Sequence, residues 1–256
     1  MNPDLRARYE TAVEAAQQAG QLALGYYEGP LDVEKKADAS PVTIADRSAE
    51  ELIRGVVGKR FADDGILGEE FPEKPGTSGY RWILDPIDGT KSFIRGVPLW
   101  GTLVGVELND ETVIGVCVAP CLNLTYHACR GEGAFRNGRR IHVSDVDQLG
   151  DAHMAYSSSS YFIQSGKEQT FLELVKQTSR QRGYGDYYAF MLVAQGSFDL
   201  TVEFGCSAWD LAAVKPIVEE AGGKFTDWGG TPTIFREDVL ATNGKLHEAA
   251  LTILRK

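Results

Sequence analysis

An apolar strand that runs straight into two carboxylates is the first thing a fold of this chain must accommodate: Trp82-Ile83-Leu84 is followed by Asp85-Pro86-Ile87-Asp88-Gly89-Thr90. Three β-favouring apolar residues read as a buried strand, and strand ends are where sites form. Proline fixes the backbone after the first carboxylate, so Asp85 and Asp88 can turn toward one place with the Ile87 carbonyl between them. Gly89 lets the backbone come close to a ligand. If Thr90 begins a short helix through Phe93, its amide and those beside it face an anion with the favourable dipole end, and its hydroxyl can orient a water. Taken alone, the same residues also suit an ordinary surface turn, because Asp, Pro and Gly all favour turns.

Two further acidic positions join them: Glu69 after the apparent strand Ile66-Leu67, and Asp210 opening a helix. Carboxylates crowded at one end of a sheet repel one another unless cations lie between them. Hard oxygen ligands of this kind select Mg2+ or Mn2+ over zinc. Each residue singly has a plain structural reading, Glu69-Glu70 as a solvated pair and Trp209-Asp210 as a core tryptophan beside a helix cap. A formal net charge of -10 argues against a general nucleic-acid binder, so a small phosphate-containing substrate would need a local positive centre that bound cations can supply. Cys117, Cys121, Cys129 and Cys206 form no CxxC pair and read as free thiols.

The rest of the chain alternates helical and β patterns. Helices are expected from Leu5 to Tyr27, stopped by Gly29-Pro30, and from Asp46 to Phe61, with a polar loop from Lys35 to Pro41 between them. Short strands follow at Ile66-Leu67, Trp82–Leu84, Thr102–Val106, Val113–Val118 and Leu122–His127, and Asn137-Gly138 suits a hairpin turn. The second half reads as helices over Glu168–Ser179, Tyr188–Gln195, Asp210–Glu220 and Leu246–Leu254, with strands at Leu200–Val202, Lys224–Thr226 and Val239-Leu240 between them. This is a layered α/β arrangement. No linker marks a boundary, so residues 1–256 are expected to form a single unit with at most a soft division near residue 145. The N-terminus has no signal-like pattern and no apolar stretch reaches membrane-spanning length, so a cytoplasmic location without membrane or nucleic-acid partners is expected.

Gly68-Glu69-Glu70, Trp82 through Phe93, and Trp209-Asp210-Leu211-Ala212-Ala213 through Glu220-Ala221-Gly222-Gly223, in that order, resemble the inositol monophosphatase superfamily. The resemblance covers nearly the whole chain. It implies the layered αβαβα sugar-phosphatase fold, commonly a homodimer, and a phosphomonoesterase that uses two or three Mg2+ ions, with Mn2+ as an alternative. By motif, Glu69, Asp85 and the Ile87 carbonyl match ligands of a first metal, and Asp85, Asp88 and Asp210 those of a second. Glu69 is also placed near a third, weaker ion. Asp46, in Val42-Thr43-Ile44-Ala45-Asp46-Arg47, matches the acidic partner of the threonine corresponding to Thr90. The implied chemistry is in-line attack of a water oriented by Thr90 and Asp46, with Glu69 nearby and with Asp88, Gly89 and Thr90 on the phosphate. No cysteine or serine nucleophile is needed.

The alcohol is read from Arg95, Asp186, Glu203 and Asp210. The run Lys91 through Leu103 and the segment Arg182-Gly183-Tyr184-Gly185-Asp186-Tyr187-Tyr188-Ala189-Phe190 look like the histidinol-phosphate phosphatase branch of that superfamily. Histidinol phosphate carries an ammonium and an imidazole, which extra carboxylates suit, and Tyr187 and Tyr188 are candidates for cation-aromatic contact. In the plainer reading, Asp186 caps the following helix and the tyrosines are core. Tyr187 departs from the branch, where a smaller residue such as cysteine is expected. Rival activities are an inositol-1-phosphate or broad sugar-phosphate phosphatase, which would share every catalytic residue, and a 3'(2'),5'-bisphosphate nucleotidase, for which further basic residues are lacking. A metal-dependent phosphate-binding protein without activity is the non-enzyme rival, and intact ligands argue against it.

Overall fold

The computed structural model describes residues 2–29, 33–35 and 41–256. Helix α1 (Pro3–Leu24) is capped by Asn2, whose side chain accepts from the Leu5 amide, and it ends at Gly25, before the expected Tyr27. Strands β1 (Glu34–Lys35) and β2 (Pro41–Val42) pair where a polar loop is expected; Pro30 and the residues between the two strands lie outside the described residues. Helix α2 (Ile44–Arg60) starts before Asp46 because Thr43 and Asp46 form a reciprocal capping box, a sequence signal at the spacing such boxes require.

Strands β3 (Gly65–Gly68), β4 (Tyr80–Asp88), β5 (Gly101–Leu108), β6 (Glu111–Ala119), β7 (Leu124–Cys129), β8 (Gly133–Arg136) and β9 (Arg139–Ile141) build one sheet in sequence order. It is antiparallel apart from the β3–β4 pair. Helix α3 (Thr90–Phe93) follows β4. The second sheet has the order β11-β10-β12-β14-β13 and comprises β10 (His153–Tyr156), β11 (Arg180–Arg182), β12 (Leu200–Phe204), β13 (Lys224–Thr226) and β14 (Asp238–Thr242). Helices α4 (Ser159–Gln164), α5 (Glu168–Gln177), α6 (Asp186–Ala194), α7 (Ala208–Ala212), α8 (Val214–Glu220) and α9 (His247–Leu254) fill the second half.

Contacts stack these elements as α1 and α2, the seven-stranded sheet, α6 to α8, the five-stranded sheet, then α4, α5 and α9. The expected five-layer αβαβα order is the observed one. The outermost interface is alanine-rich on its helical side, with Ala12, Ala15, Ala16 and Ala19 of α1 packed with Ile53 and Val57 of α2 over Trp82, Val104 and Val116. Small side chains there let helix and sheet approach closely.

Two departures from the sequence expectation matter for the site. Asp85 to Asp88 do not form a turn after the strand: β4 runs on through Asp88, and all four residues are buried. The helix expected over Asp210–Glu220 is two helices that meet at Ala213. Pro216 accounts for the break, since it has no N–H for the Ala212 carbonyl and its ring crowds that carbonyl. Strands β10 and β11 and helix α4 were not anticipated, because runs of 4, 3 and 6 residues are too short to carry a clear apolar period.

Candidate metal centre and adjoining cleft

In a regular strand, residues three apart point to opposite faces of the sheet. Asp85 pairs with Leu103 and Asp88 with Gly101, so β4 holds one residue more than β5 across this stretch. That bulge follows from Pro86, which cannot donate to the ladder, and it re-aims the second carboxylate toward the first. The Thr102 hydroxyl holds the bulge by donating to the Pro86 carbonyl at 2.8 Å.

Asp210 arrives from the other side. It is the third residue of α7, and its carboxylate accepts the Ser207 N–H at 2.6 Å. The junction of α7 and α8 lies flush on the sheet because Gly105 and Gly115 are register partners on β5 and β6. A Cβ on Gly115 would stand 2.0 Å from the Ala213 carbonyl oxygen, and one on Gly105 2.6 Å from the Ala212 Cβ. The result is that Asp85, Asp88 and Asp210 each offer an oxygen, all within 4.8 Å of one another.

Burial, then the charges of Glu69, Asp88 and Asp210, raise the Asp85 carboxyl well above its ordinary value. Asp88 is raised likewise by burial, then by Asp186 and Asp210, although its carboxylate accepts the Tyr187 N–H at 2.5 Å. Asp210 is pushed up to about 6, chiefly by burial, with the Ser207 N–H opposing. Three hard oxygen donors, mutually repelling and drawn from water, fit a divalent cation, which relieves both costs at once.

Glu69 is half-buried just beyond β3, and its backbone N–H donates to the Leu84 carbonyl at 3.2 Å. It stands outside the three-carboxylate cluster, yet its charge raises Asp46, Asp85, Asp88 and Asp210. Ile87 is buried, and its carbonyl accepts the Thr90 hydroxyl at 3.0 Å. The same hydroxyl lies 3.4 Å from Asp46 Oδ1, while Asp46 Oδ2 is held by the Thr43 N–H at 2.8 Å and hydroxyl at 2.6 Å. Burial is the main cause that raises Asp46. Gly89 has φ +85°, and a Cβ there would crowd the Leu99 carbonyl oxygen at 3.0 Å and Asp186 Oδ2 at 3.2 Å. Only glycine fits both demands.

A small cleft of about 70 Å3 opens beside the cluster, with Asp88, Asp210, Asp186, Glu203, Ser157 and Tyr161 on its walls. Glu203, on β12, is buried; its carboxyl accepts the Ser157 N–H at 3.1 Å and the Thr201 hydroxyl at 3.2 Å. Burial, with Asp186 adding, pushes it up to about 8. Asp186 opens α6 at φ +57°, a left-handed conformation that few non-glycine residues adopt. Its carboxyl is raised by burial, and Lys91 opposes that rise.

Arg95 is exposed and lines neither this cleft nor the larger outer one of about 540 Å3 that shares Ser157, Tyr161 and Asp186 with it. Tyr187 and Tyr188 are packing residues. The Tyr187 ring is wholly buried, and Tyr188, half-buried, packs against the core. Tyr161 and Lys91 were missed. Tyr161 lies on α4 and lines both clefts, and Lys91 lines the outer one. Lys91, next to Thr90, was visible as a basic residue adjoining the motif, whereas nothing in the sequence around Tyr161 linked it to Asp210.

A model of the inositol monophosphatase family matches residues 4–256. The chain is 43% identical over 235 residues to a histidinol-phosphatase of Chlorobaculum parvum, covering 91% of this chain and 89% of that protein. It is also 43% identical over 235 residues to a histidinol-phosphatase of Streptomyces coelicolor, covering 88% of each. The crystal structure of the extragenic suppressor protein SuhB from Bartonella henselae superposes with a TM-score of 0.92 at 32% identity, covering 98% of this chain and 99% of that one.

Proposed function

This chain belongs to the inositol monophosphatase family and is a phosphomonoesterase, and from that premise we propose that it hydrolyses L-histidinol phosphate to L-histidinol and phosphate, with Mg2+ as its cation. The observation that carries the choice of alcohol is the pair Asp186 and Glu203, two carboxyl groups on the walls of one cleft beside the cluster, Glu203 buried and Asp186 open to solvent. A substrate ammonium placed there offsets the desolvation and the Asp186 charge that raise Glu203; an inositol ring brings only hydroxyls. The names of the two histidinol-phosphatase relatives support the same reading.

In this proposal Asp85, Asp88, Asp210, Glu69 and the Ile87 carbonyl hold two or three Mg2+ ions, for which Mn2+ can substitute. When bound, a divalent cation brings the pKa of a water from about 16 toward neutrality and offsets charge on the phosphoryl oxygens. Thr90 accepts a hydrogen bond from the attacking water and donates its own to Asp46 Oδ1, so that the pair orients the water. Asp46 is locked for this by its bonds to Thr43. The Thr90 and Lys91 amides at the start of α3 are the ones left to face the phosphate, since those of Ser92 and Phe93 donate to the Gly89 carbonyl, and Gly89 gives the close approach. Asp186 and Glu203 take the ammonium, and Tyr161 forms the aromatic wall for the imidazole.

No helix among the described residues is long and apolar enough to cross a membrane. A cytoplasmic homodimer belongs to the same proposal, and light scattering tests the assembly. The deciding experiment is phosphate release with Mg2+ from histidinol phosphate, inositol 1-phosphate and 3'-phosphoadenosine phosphate, compared as kcat/KM. A clear preference for histidinol phosphate is expected; comparable values on all three refute the assignment.

A further inference from the structure

Helix α2 carries a second buried carboxylate one turn beyond Asp46. Glu50 is fully buried; its Oε1 accepts the Arg54 Nε–H at 2.7 Å, and its Oε2 accepts the backbone N–H of Glu70 at 2.8 Å. Arg54 continues the tie, since its Nη2 donates to the Phe71 carbonyl at 3.1 Å. The short segment after β3 is therefore fastened to a helix at two places, one on either side of the Glu70 side chain. Gly68 is shaped around this contact. A Cβ there would stand 2.0 Å from Glu50 Oε1 and 2.4 Å from its Cδ, so no larger residue leaves room for the carboxylate.

Glu69 immediately precedes these two fixed points, and its own N–H is bound to the carbonyl of Leu84, the residue before Asp85. Its backbone is held from the α2 side and from the β4 side together. We propose that Glu50, buttressed by Arg54, is a positioning residue that sets Glu69 for the cation. This rests on the reading of Glu69 as a cation ligand. Glu50 touches neither cation nor substrate. Without it, binding a cation would have to order the 69–71 segment as well, and the affinity falls by that cost. The same helix then serves both halves of the chemistry, with Asp46 on the Thr90 side and Glu50 on the Glu69 side.

The test is direct Mn2+ binding to the full chain, followed by electron paramagnetic resonance of the free ion and by calorimetry, alongside thermal melting. For Glu50→Ala, Mn2+ binding is expected to weaken about 10- to 100-fold, the range for losing an outer-shell partner. The Mg2+ concentration for half-maximal activity should rise by the same factor, with KM for substrate at saturating Mg2+ unchanged. Glu50→Gln keeps the shape but offers one acceptor to two donors, so its loss should fall between wild type and Glu50→Ala. Arg54→Gln should move in the same direction.

A folded Glu50→Ala protein that binds Mn2+ as wild type does, merely melting lower, overturns the proposal. If that variant does not fold, unchanged Mn2+ affinity in both Glu50→Gln and Arg54→Gln overturns it equally. Glu69→Gln separates the two readings. Wild-type affinity in Glu69→Gln refutes the ligand assignment itself, whereas loss there with wild-type affinity in the Glu50 variants refutes only the positioning role.

Discussion

Glu203→Gln tests the cleft in two ways at once. Glu203 is 3% exposed, and its carboxyl is pushed from an ordinary 4.5 up to about 8, chiefly by burial. The neutral form is thus favoured in the folded chain. As pH rises above 4.5, the unfolded chain releases this proton while the folded chain keeps it, so stability is lost progressively until about pH 8 and is level beyond. A displacement of this size corresponds to about 5 kcal/mol at about 1.4 kcal/mol per pH unit. Glutamine has the same shape and cannot ionise. In EDTA, chemical denaturation of wild type and Glu203→Gln at pH 5 and pH 8 should show the variant gaining several kcal/mol relative to wild type at the higher pH. The difference between the two proteins isolates this group, because distant titrations cancel in it.

The same substitution removes a charge partner of the proposed ammonium, worth about 1.5–3 kcal/mol for a charge-assisted hydrogen bond. With Mg2+ present, kcat/KM on histidinol phosphate should therefore drop about 10- to 100-fold, and on inositol 1-phosphate only a few-fold. Two results refute the reasoning: a stability difference that does not change between pH 5 and pH 8, or equal losses on the two substrates.

Three further outcomes are expected. Asp88→Asn should abolish Mg2+-dependent phosphate release and, by removing one of three crowded carboxylates, raise the melting temperature in EDTA; full activity in a folded variant sinks its role in the metal centre. Gly115→Ala drives a methyl into the Ala213 carbonyl and should cost about 1–3 kcal/mol in denaturant melts while weakening Mg2+ binding through displacement of α7, whereas unchanged binding would show that Asp210 does not depend on that close approach. His247 is buried between the hydroxyls of Thr226 and Thr242, at 2.9 and 3.0 Å, and burial lowers it to about 4. Stability from this group is complete above pH 6.5 and lost as pH falls toward 4, a change of about 3 kcal/mol that His247→Gln should flatten in melts across that range.

Chemistry that depends on neighbours in the chain was legible without coordinates. Asp85 through Thr90 disclosed two carboxylates, a glycine and a hydroxyl because local geometry is set by Pro86 and Gly89, and α1, α2, β5 and β6 were readable from their apolar periods. Where the reading failed, non-local contacts decided. The strand continued through Asp88 because pairing with β5 absorbed Pro86 as a bulge, and this points the second carboxylate at the first. Tyr161 enters the cleft on a helix too short and polar to announce itself.

By itself, the sequence determined which hard oxygen donors the chain owns, and the motifs in which they stand pointed to phosphate ester hydrolysis. Tertiary structure alone decided that Asp210 meets Asp85 and Asp88. Their convergence depends on Gly105 and Gly115 standing side by side on adjacent strands, so that the α7–α8 junction settles onto the sheet. It likewise decided that Asp186 and Glu203, from different elements, face one cleft, and that Glu50 fastens the segment bearing Glu69. Each of these is a packing fact between residues distant in the chain, and residue type and local spacing carry no record of it.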